Sequence, residues 1–324
     1  MMSFDAQSYL ENANIWVLSD GKPGHKNQSL GVCEALGVDP EVIELEKRPF
    51  GKLLQWLYPS LYFKNLPSAP WPDIVVSTGY HVSVAAKWVK MKNPETMLVH
   101  MMKPKGYAGA FTVLAIPEHD QPKVAGNVIT TMGAPHLVST EKLQSEKEKW
   151  QSVLNPDGKK AVAVIIGGNS KNFTFNKISV KALIAELEEQ YGEGVRYMVT
   201  TSRRTGAAEK QILTDYFEAR DSYFYDGQGE NPYFGMLACA DSIVVTAESV
   251  SMISEACATS VPVYAFDLKQ AMKASKLKRF YTGFLKAGRV VDLSQKYKEN
   301  TFTPHIEAAS VAAFIKSKLI QRQI

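Results

Sequence analysis

Short, nearly continuous apolar runs alternate with amphipathic stretches along most of this chain, and that alternation constrains its fold more than any other feature. Ile15–Leu18 reads as a strand, followed by a polar, glycine-containing loop and a helix from Gln28 to Leu36. Asp73–Ser77, Met97–His100 and Thr112–Ile116 continue the series, with a helix over Ser83–Met91 after the first of them. Strands that are apolar on both faces belong in a parallel sheet covered by helices on both sides. The charged, helix-forming stretch Thr140–Leu154 then runs into Asn155-Pro156-Asp157-Gly158, a turn that marks a domain boundary. Beyond it the pattern restarts. Ala161–Ile166, Arg196–Thr200, Ser242–Val245 and Val261–Ala265 read as strands, and Ser179–Tyr191 as a helix. The expected fold class is α/β, with two Rossmann-like, doubly wound parallel-sheet domains over residues 1–155 and 156–324. The cleft between such domains is the default ligand site. The last helix, Ile306–Lys318, can pack on either domain.

Composition excludes several classes. A chain of 324 residues that is 45% hydrophobic has material for two cores, which rules out disordered and fibrous architectures. No apolar run reaches the roughly 18 residues of a membrane-spanning helix. The polar, acidic start, Met1–Asn14, reads as neither secretory signal nor transit peptide, so the expected location is cytoplasmic. A net charge of +4 suits phosphate-bearing ligands or an anionic membrane surface and is too weak for a nucleic-acid binder. Cys33, Cys239 and Cys257 sit in apolar helical contexts without CxxC spacing, so they read as buried thiols and not as nucleophiles. Phe50–Leu66 is rich in aromatic and aliphatic residues with a few lysines. It either packs on the first domain or docks peripherally on the inner face of a membrane.

Several loops carry chemistry. Asp241–Ala256 is a buried strand, then small polar residues, then a helix. Ser249 and Ser251 suit the N-cap region, where free backbone N–H groups hold anions such as phosphate. Glu255 follows Ser251 by four residues on roughly the same face and can accept hydrogen bonds from ribose hydroxyls. An ordinary capped helix with a solvated glutamate accounts for the same spacing. Gly167-Gly168-Asn169-Ser170 lets a ligand approach the backbone, or is a plain strand-to-helix turn. Thr200–Thr205, at the same sheet edge, sets Arg203 and Arg204 among hydroxyls, which suits phosphate pairing or a solvated loop.

In the first half, Ser19–Gln28 is too polar for a structural turn, and it matches neither GxGxxG nor a P-loop. That argues against dinucleotides and Walker-type ATP chemistry. His25 is a candidate general base, anion ligand or loop cap. Asp20 is the other candidate base, or the carboxylate that orients His25. His81, His100 and His119 lie near strand ends, where side chains reach the cleft. No metal site is expected, because His119, Asp120 and His136 lack HxxxH or HExxH spacing. No GxSxG elbow is present.

The segments SDGKPGHKNQSLGVCEALG, VVSTGY, IPEHD, TMGAPH, IIGGNS, TTSRRT and GENPYFGMLACADSIVVTAESVSMISEA resemble the mitochondrial fission ELM-one-like family, in order from Trp16 to Leu268. The resemblance implies a GT-B architecture, two Rossmann-like domains facing a cleft. It also implies a glycosyltransferase whose substrate is a nucleotide-sugar, with no cofactor and no metal. The C-terminal half is similar, more distantly, to the lipid-linked N-acetylglucosaminyltransferase of peptidoglycan synthesis. There a glycine-rich loop and a serine-containing helix start hold the diphosphate, and a helical glutamate holds the ribose. Those roles would fall to Gly168, Asn169 and Ser170, to Ser249 and Ser251, and to Glu255. Arg203 or Arg204 would neutralise the diphosphate, with Asn231 also on the donor side. Pro23-Gly24-His25 partly matches the Gly-Gly-His loop of those enzymes and makes His25 the leading base. Lys22, Gln28 and His81 complete the acceptor side, for an unidentified acceptor of cell-envelope or lipid-linked type. Two alternatives stand beside this reading. One is a GT-B sugar-nucleotide epimerase or hydrolase, with His81, His100 or Glu118 as a second acid or base. The other is a non-catalytic docking protein, since plant members are tied to fission through a dynamin-related partner.

Overall fold

The continuous apolar runs fold as central strands buried along their whole length. In the computed structural model, which describes residues 5–46, 48, 62–268, 275–296 and 302–323, the chain divides into two units. The first is Met1–Leu137 with Ile306–Ile324, and the second is Val138–His305.

The first unit holds β1 (Ile15–Ser19), β2 (Glu41–Glu44), β3 (Ile74–Thr78), β4 (Met97–Met101), β5 (Val113–Pro117) and β6 (Val128–Thr131). They form one parallel sheet in the order β2-β1-β3-β4-β5-β6, with Val17 opposite Val76 and Val76 opposite Val99. The sheet's helices include α1 (Ala6–Asn12), α2 (Pro23–Leu36) and α3 (Val82–Lys92). On one face Val17, Val76 and Val99 pack with Val32 and Leu36 of α2. On the other, Trp16, Val75 and Leu98 pack with Ala85, Ala86 and Val89 of α3. Residues 50–61 of the candidate membrane-docking stretch lie outside the described residues, whereas Tyr62 and Phe63 belong to that second cluster.

In the second unit the helices are α4 (Thr140–Leu154), α5 (Lys177–Tyr191), α6 (Ala207–Glu218), α7 (Tyr233–Cys239), α8 (Val250–Ala256) and α9 (Ser275–Lys286). Its strands are β7 (Ala161–Ile166), β8 (Arg196–Thr201), β9 (Ser222–Tyr225), β10 (Ser242–Thr246), β11 (Val263–Phe266) and β12 (Val291–Asp292). Their order, β12-β11-β10-β7-β8-β9, is the doubly wound Rossmann arrangement. Strand order reverses between β1 and β3 in the first sheet and between β7 and β10 in the second. In open parallel sheets such reversal points, at the carboxyl ends of the strands, are where ligands bind.

The expected domain boundary needs correction, and the placement of the last helix, left open by the sequence, is decided. The boundary expected at 155/156 lies at 137/138, because α4 packs on α7 of the second unit. A Cβ at Gly235 of α7 would fall 2.6 Å from the Trp150 ring of α4, so only glycine lets the helices meet this closely. The last helix, α10 (Glu307–Gln323), belongs to the first unit. Val311, Ala312, Ile315 and Leu319 join the core over β1, and Glu307 Oε1 accepts hydrogen bonds from the N–H groups of Met132 and Gly133 at 2.5 and 2.9 Å.

Gly31 of α2 sits flush on the segment after β6, where a Cβ would lie 2.2 Å from the His136 carbonyl oxygen. Gly31→Ala is therefore expected to cost about 1–3 kcal/mol by forcing α2 away from that backbone. Thermal unfolding should show a melting temperature lower by several degrees. An unchanged value would mean that this segment is not seated on α2.

Candidate functional site

Each reversal point gathers polar side chains that the sequence had singled out. In the first unit, Gly21 adopts a φ of 74° and its N–H donates to Ser19 Oγ at 3.1 Å, turning the chain sharply after β1. Pro23 then starts α2, a position that its fixed φ and missing N–H favour. The turn points Asp20 inward beneath His25 on the first turn of the helix. His25 Nδ1 lies 2.9 Å from Asp20 Oδ1, and Lys22 Nζ lies 3.0 Å from Asp20 Oδ2. The Asp20 side chain is only 2% exposed, and His25 20%. Burial alone would raise the Asp20 carboxyl, but hydrogen bonds from His25 and Lys22, with their charges, hold it well below the usual carboxylate range. An ionised Asp20 only accepts, so Nδ1 carries the proton and Nε2 the free lone pair.

Backbone from the neighbouring strand fixes the ring. Gly79, after β3, has a φ of 100°, and a Cβ there would lie 2.6 Å from His25 Cε1 and Nδ1. Ser29 of α2 is tied to Thr78 at the end of β3 by a 2.9 Å hydroxyl contact. Gln28 is buried on the same helix, and His81 is half-buried between the rings of Tyr62 and Tyr80 at 5.6 and 5.4 Å.

His100 departs from expectation. It is wholly buried within β4, its Nδ1 2.8 Å from Ser77 Oγ. Burial, reinforced by the charges of His25 and Lys87, pushes it down to about 3. It is a neutral core histidine and reaches no open site. His119 lies 3.8 Å from Asp120 in a short turn after β5. Among the described residues, no group of three or more His, Cys, Asp or Glu side chains could hold a metal ion.

In the second unit three loops converge at the carboxyl ends of β7, β8 and β10. The Gly167 N–H donates to Thr246 Oγ1 at 2.8 Å, and the Gly168 N–H donates to Glu248 Oε1 at 2.9 Å. Arg204 Nη2 donates to the same oxygen at 3.0 Å. A Cβ at Gly167 would fall 1.6 Å from Glu248 Oε1, and one at Gly168 2.3 Å from the Arg204 carbonyl oxygen. The glycines are thus required by the protein's own packing. Asn169 Oδ1 accepts from the Phe175 N–H at 2.8 Å, and Ser170 Oγ from those of Asn172 and Phe173, both at 3.2 Å. These side chains close the loop on itself. Ser249 caps α8, accepting from the Met252 N–H at 3.4 Å, while Ser251 sits partly exposed on its first turn. Arg203 is exposed, and Asn231 Oδ1 accepts from the Tyr233 N–H at 3.1 Å ahead of α7.

Two features of this loop cluster escape sequence reasoning. Glu248, with a side chain fully buried, anchors both Arg204 and the Gly168 amide, and its Oε2 has no hydrogen-bond partner. Nothing in a lone acidic residue before an N-cap announces that role; the paired glycines on the adjacent strand were the available signal. The second is Tyr233, whose hydroxyl donates to Glu255 Oε2 at 2.6 Å. Burial raises the Glu255 carboxyl to about 7, although the Tyr233 hydrogen bond works in the opposite direction. The three cysteines are buried as expected, and burial pushes the Cys33 and Cys257 thiols to about 12 and Cys239 to about 11.

A family model described as Mitochondrial fission ELM1 matches residues 23–319. The chain belongs to the mitochondrial fission ELM1 family. An uncharacterised protein of Rickettsia prowazekii is 27% identical, with 94% of this chain and 98% of the relative covered. The mitochondrial fission protein ELM1 of Arabidopsis thaliana is 24% identical, with 94% and 91% covered. Among solved structures, UDP-GlcNAc 2-epimerase from Methanocaldococcus jannaschii superposes with a TM-score of 0.54 at 15% identity, covering 94% of this chain and 99% of that one. The fold of this ELM1-family chain is GT-B, two Rossmann-like parallel sheets flanked by helices.

The Glu255 environment of this ELM1-family chain makes a stability prediction. A carboxyl raised in the folded state binds its proton more tightly there than in the unfolded chain. Stability should therefore fall as pH rises from the unfolded value, near 4.5, to about 7, and be indifferent to this group above that. Glu255→Gln should remove the slope, gaining on the wild type by an amount on the order of 1–3 kcal/mol across the window. Denaturant unfolding at several pH values checks it, and parallel curves would show that Glu255 is not raised.

Proposed function

We propose that this protein is a glycosyltransferase that moves a sugar from a nucleotide-activated donor held by the second unit to a hydroxyl of an acceptor held by the first. The observation that carries the reading is the Asp20–His25 pair at the reversal point of the first sheet. Asp20 fixes the ring and stabilises the imidazolium, so Nε2 takes the proton from the acceptor hydroxyl as its oxygen bonds to the anomeric carbon. The bond from that carbon to the donor's diphosphate breaks, and the diphosphate leaves with the electron pair. Arg203 and Arg204 neutralise its charge, so the scheme calls on no metal or cofactor. Gly168–Ser170 and Ser249–Ser251 form the donor loops, and Glu255 accepts from the ribose hydroxyls in place of Tyr233. Lys22, Gln28 and His81 line the acceptor side.

A single base of this kind implies one displacement and inversion at the anomeric carbon. The epimerase named above acts on a nucleotide-sugar, a substrate of the proposed donor class. An epimerase reading would need a second acid or base beside the sugar, and the burial of His100 removes one of the three candidates. A docking protein gains nothing from a carboxylate sealed beneath a histidine. No helix among the described residues is long and apolar enough to cross a membrane, so an envelope acceptor would be met by peripheral contact at the inner face.

Thermal unfolding with UDP, GDP, CMP, ADP, dTDP and their sugar conjugates tests the donor half. A ligand at a hundred times its dissociation constant adds about 2.7 kcal/mol, a visible shift. A selective response to one nucleotide, abolished by Glu255→Ala, is expected. Indifference to all of them would overturn the proposal.

A further inference from the structure

Glu248 occupies donors that an anionic ligand at this sheet edge would use. Its Oε1 takes the Gly168 N–H at 2.9 Å and Arg204 Nη2 at 3.0 Å, one from the glycine loop and one from the loop after β8. The side chain is wholly buried, and its Oε2 lies among protein atoms without a hydrogen-bond partner. A Cβ at Gly167 would fall 1.6 Å from Oε1, so the carboxyl group fills the space that a side chain on the glycine loop would take. Neighbouring elements offer it little else. Thr246, at the end of β10, has its hydroxyl engaged by the Gly167 N–H, and Glu255 of α8 is engaged by Tyr233. Among the described residues, Arg204 is the cation paired with Glu248.

A diphosphate that claimed Arg204 and the Gly168 amide would strip this carboxylate of both partners and set its own negative charge beside it. An ionised carboxylate in that position meets two penalties, uncompensated desolvation and like-charge repulsion. Protonation removes both. It also reverses the hydrogen-bonding role, because a carboxylic acid carries one O–H donor, which a phosphate oxygen accepts. The proton comes from solvent, and the O–H bond is the only covalent bond formed.

We propose that Glu248 makes the donor site proton-coupled: the protein takes up a proton at this carboxyl as the diphosphate of a nucleotide binds, and returns it when the nucleotide leaves. The inference rests on the donor diphosphate being held by the glycine loop and Arg204. It gives Glu248 a part in regulating that site. As a carboxylate it keeps the anion out, and as an acid it holds the anion in place.

Isothermal titration of the full chain with UDP, GDP, ADP and dTDP measures the coupling. Each nucleotide that binds is titrated at pH 8 in HEPES and in Tris, whose ionisation enthalpies differ, so the difference in heat gives the protons exchanged. Burial raises the Glu255 carboxyl to about 7, and a pH of 8 or above keeps its own proton out of the count. Uptake of about one proton per nucleotide is expected, with affinity falling by about tenfold from pH 8 to pH 9. In Glu248→Gln the uptake should vanish and the affinity should become flat with pH. The wild-type measurement needs no variant, so it stands whatever the substitution does to folding. Binding without proton exchange, or uptake that persists in Glu248→Gln, would overturn the inference and leave the donor reading standing. Failure of every nucleotide to bind would instead remove the donor reading, and the inference with it.

Discussion

Replacing His25 with Ala is expected to lower turnover by about a hundredfold to ten-thousandfold, the range a positioned general base contributes. The ring is partly exposed, but its removal takes a hydrogen-bond partner from the buried Asp20 carboxylate, so the melting temperature should fall by several degrees while nucleotide-induced stabilisation stays nearly unchanged. Asp20→Asn should lose nearly as much by a different route. An amide in place of the carboxylate can donate to Nδ1 as well as accept, so the imidazole is no longer held as the Nδ1–H tautomer, and the imidazolium formed in the reaction loses its counter-charge. Because the two side chains act as one device, the double variant should be little slower than the worse single one. The measurement is steady-state transfer with the donor found by thermal screening, followed by added imidazole. Partial recovery of His25→Ala by imidazole would identify a missing base, which a purely structural role cannot explain. Full activity in both single variants would remove the dyad from the mechanism.

The strands legible in the sequence and those that were not differ by position in the sheet. β1, β3, β4, β5, β7, β8, β10 and β11 each announce themselves as apolar runs, because all lie inside their sheets with neighbours on both sides. The four passed over, β2, β6, β9 and β12, are the edges of the two sheets. Glu41–Glu44 has both ends exposed, and Ser222–Tyr225 is half-buried throughout. With one side unpaired and less helix above them, edge strands tolerate charge and lose the run that marks their neighbours. The misplaced domain boundary has a related cause. Pro156-Asp157-Gly158 is a genuine turn, but which core the amphipathic α4 joins is decided by Gly235 fitting Trp150, a contact between residues 85 positions apart in the chain.

Site residues follow a similar division. Asp20 and His25 were visible because both sit in one short polar loop, where composition alone is unusual. The Glu255 position was visible through its helix, but Tyr233 was not, since the bond joining them crosses from α8 to the start of α7. His100 looked like a strand-end histidine by spacing and proved a core residue, because its β4 position pairs with Ser77 beneath α3. What periodicity cannot supply is the identity of the partner across the sheet.

Glu248 is the case where that partner matters most, and it sets the largest expected change in stability. Its side chain is fully buried, whereas Arg204, which holds it at 3.0 Å, is 41% exposed. The two halves of the pair are therefore not equivalent. Removing Glu248 leaves a guanidinium that water can reach, but removing Arg204 leaves a buried carboxylate with the Gly168 N–H as its remaining partner. Arg204→Met is accordingly expected to cost about 3 kcal/mol, the lower end of the range for orphaning a buried charge, since the exposed arginine's attraction is screened. Glu248→Gln should be milder, and Arg204→Met/Glu248→Gln should recover most of the loss, because a neutral amide needs no counter-ion yet still offers an oxygen to Gly168. Denaturant unfolding of the three variants measures the cycle. Ligand binding should run in the opposite direction. In the free protein Glu248 occupies Arg204 and the Gly168 amide, groups that the proposed donor diphosphate would use. Glu248→Gln is then expected to tighten binding of the cognate nucleoside diphosphate by about tenfold, roughly 1.4 kcal/mol. Weaker binding in that variant would mean that Glu248 positions Arg204 for the donor and does not compete with it.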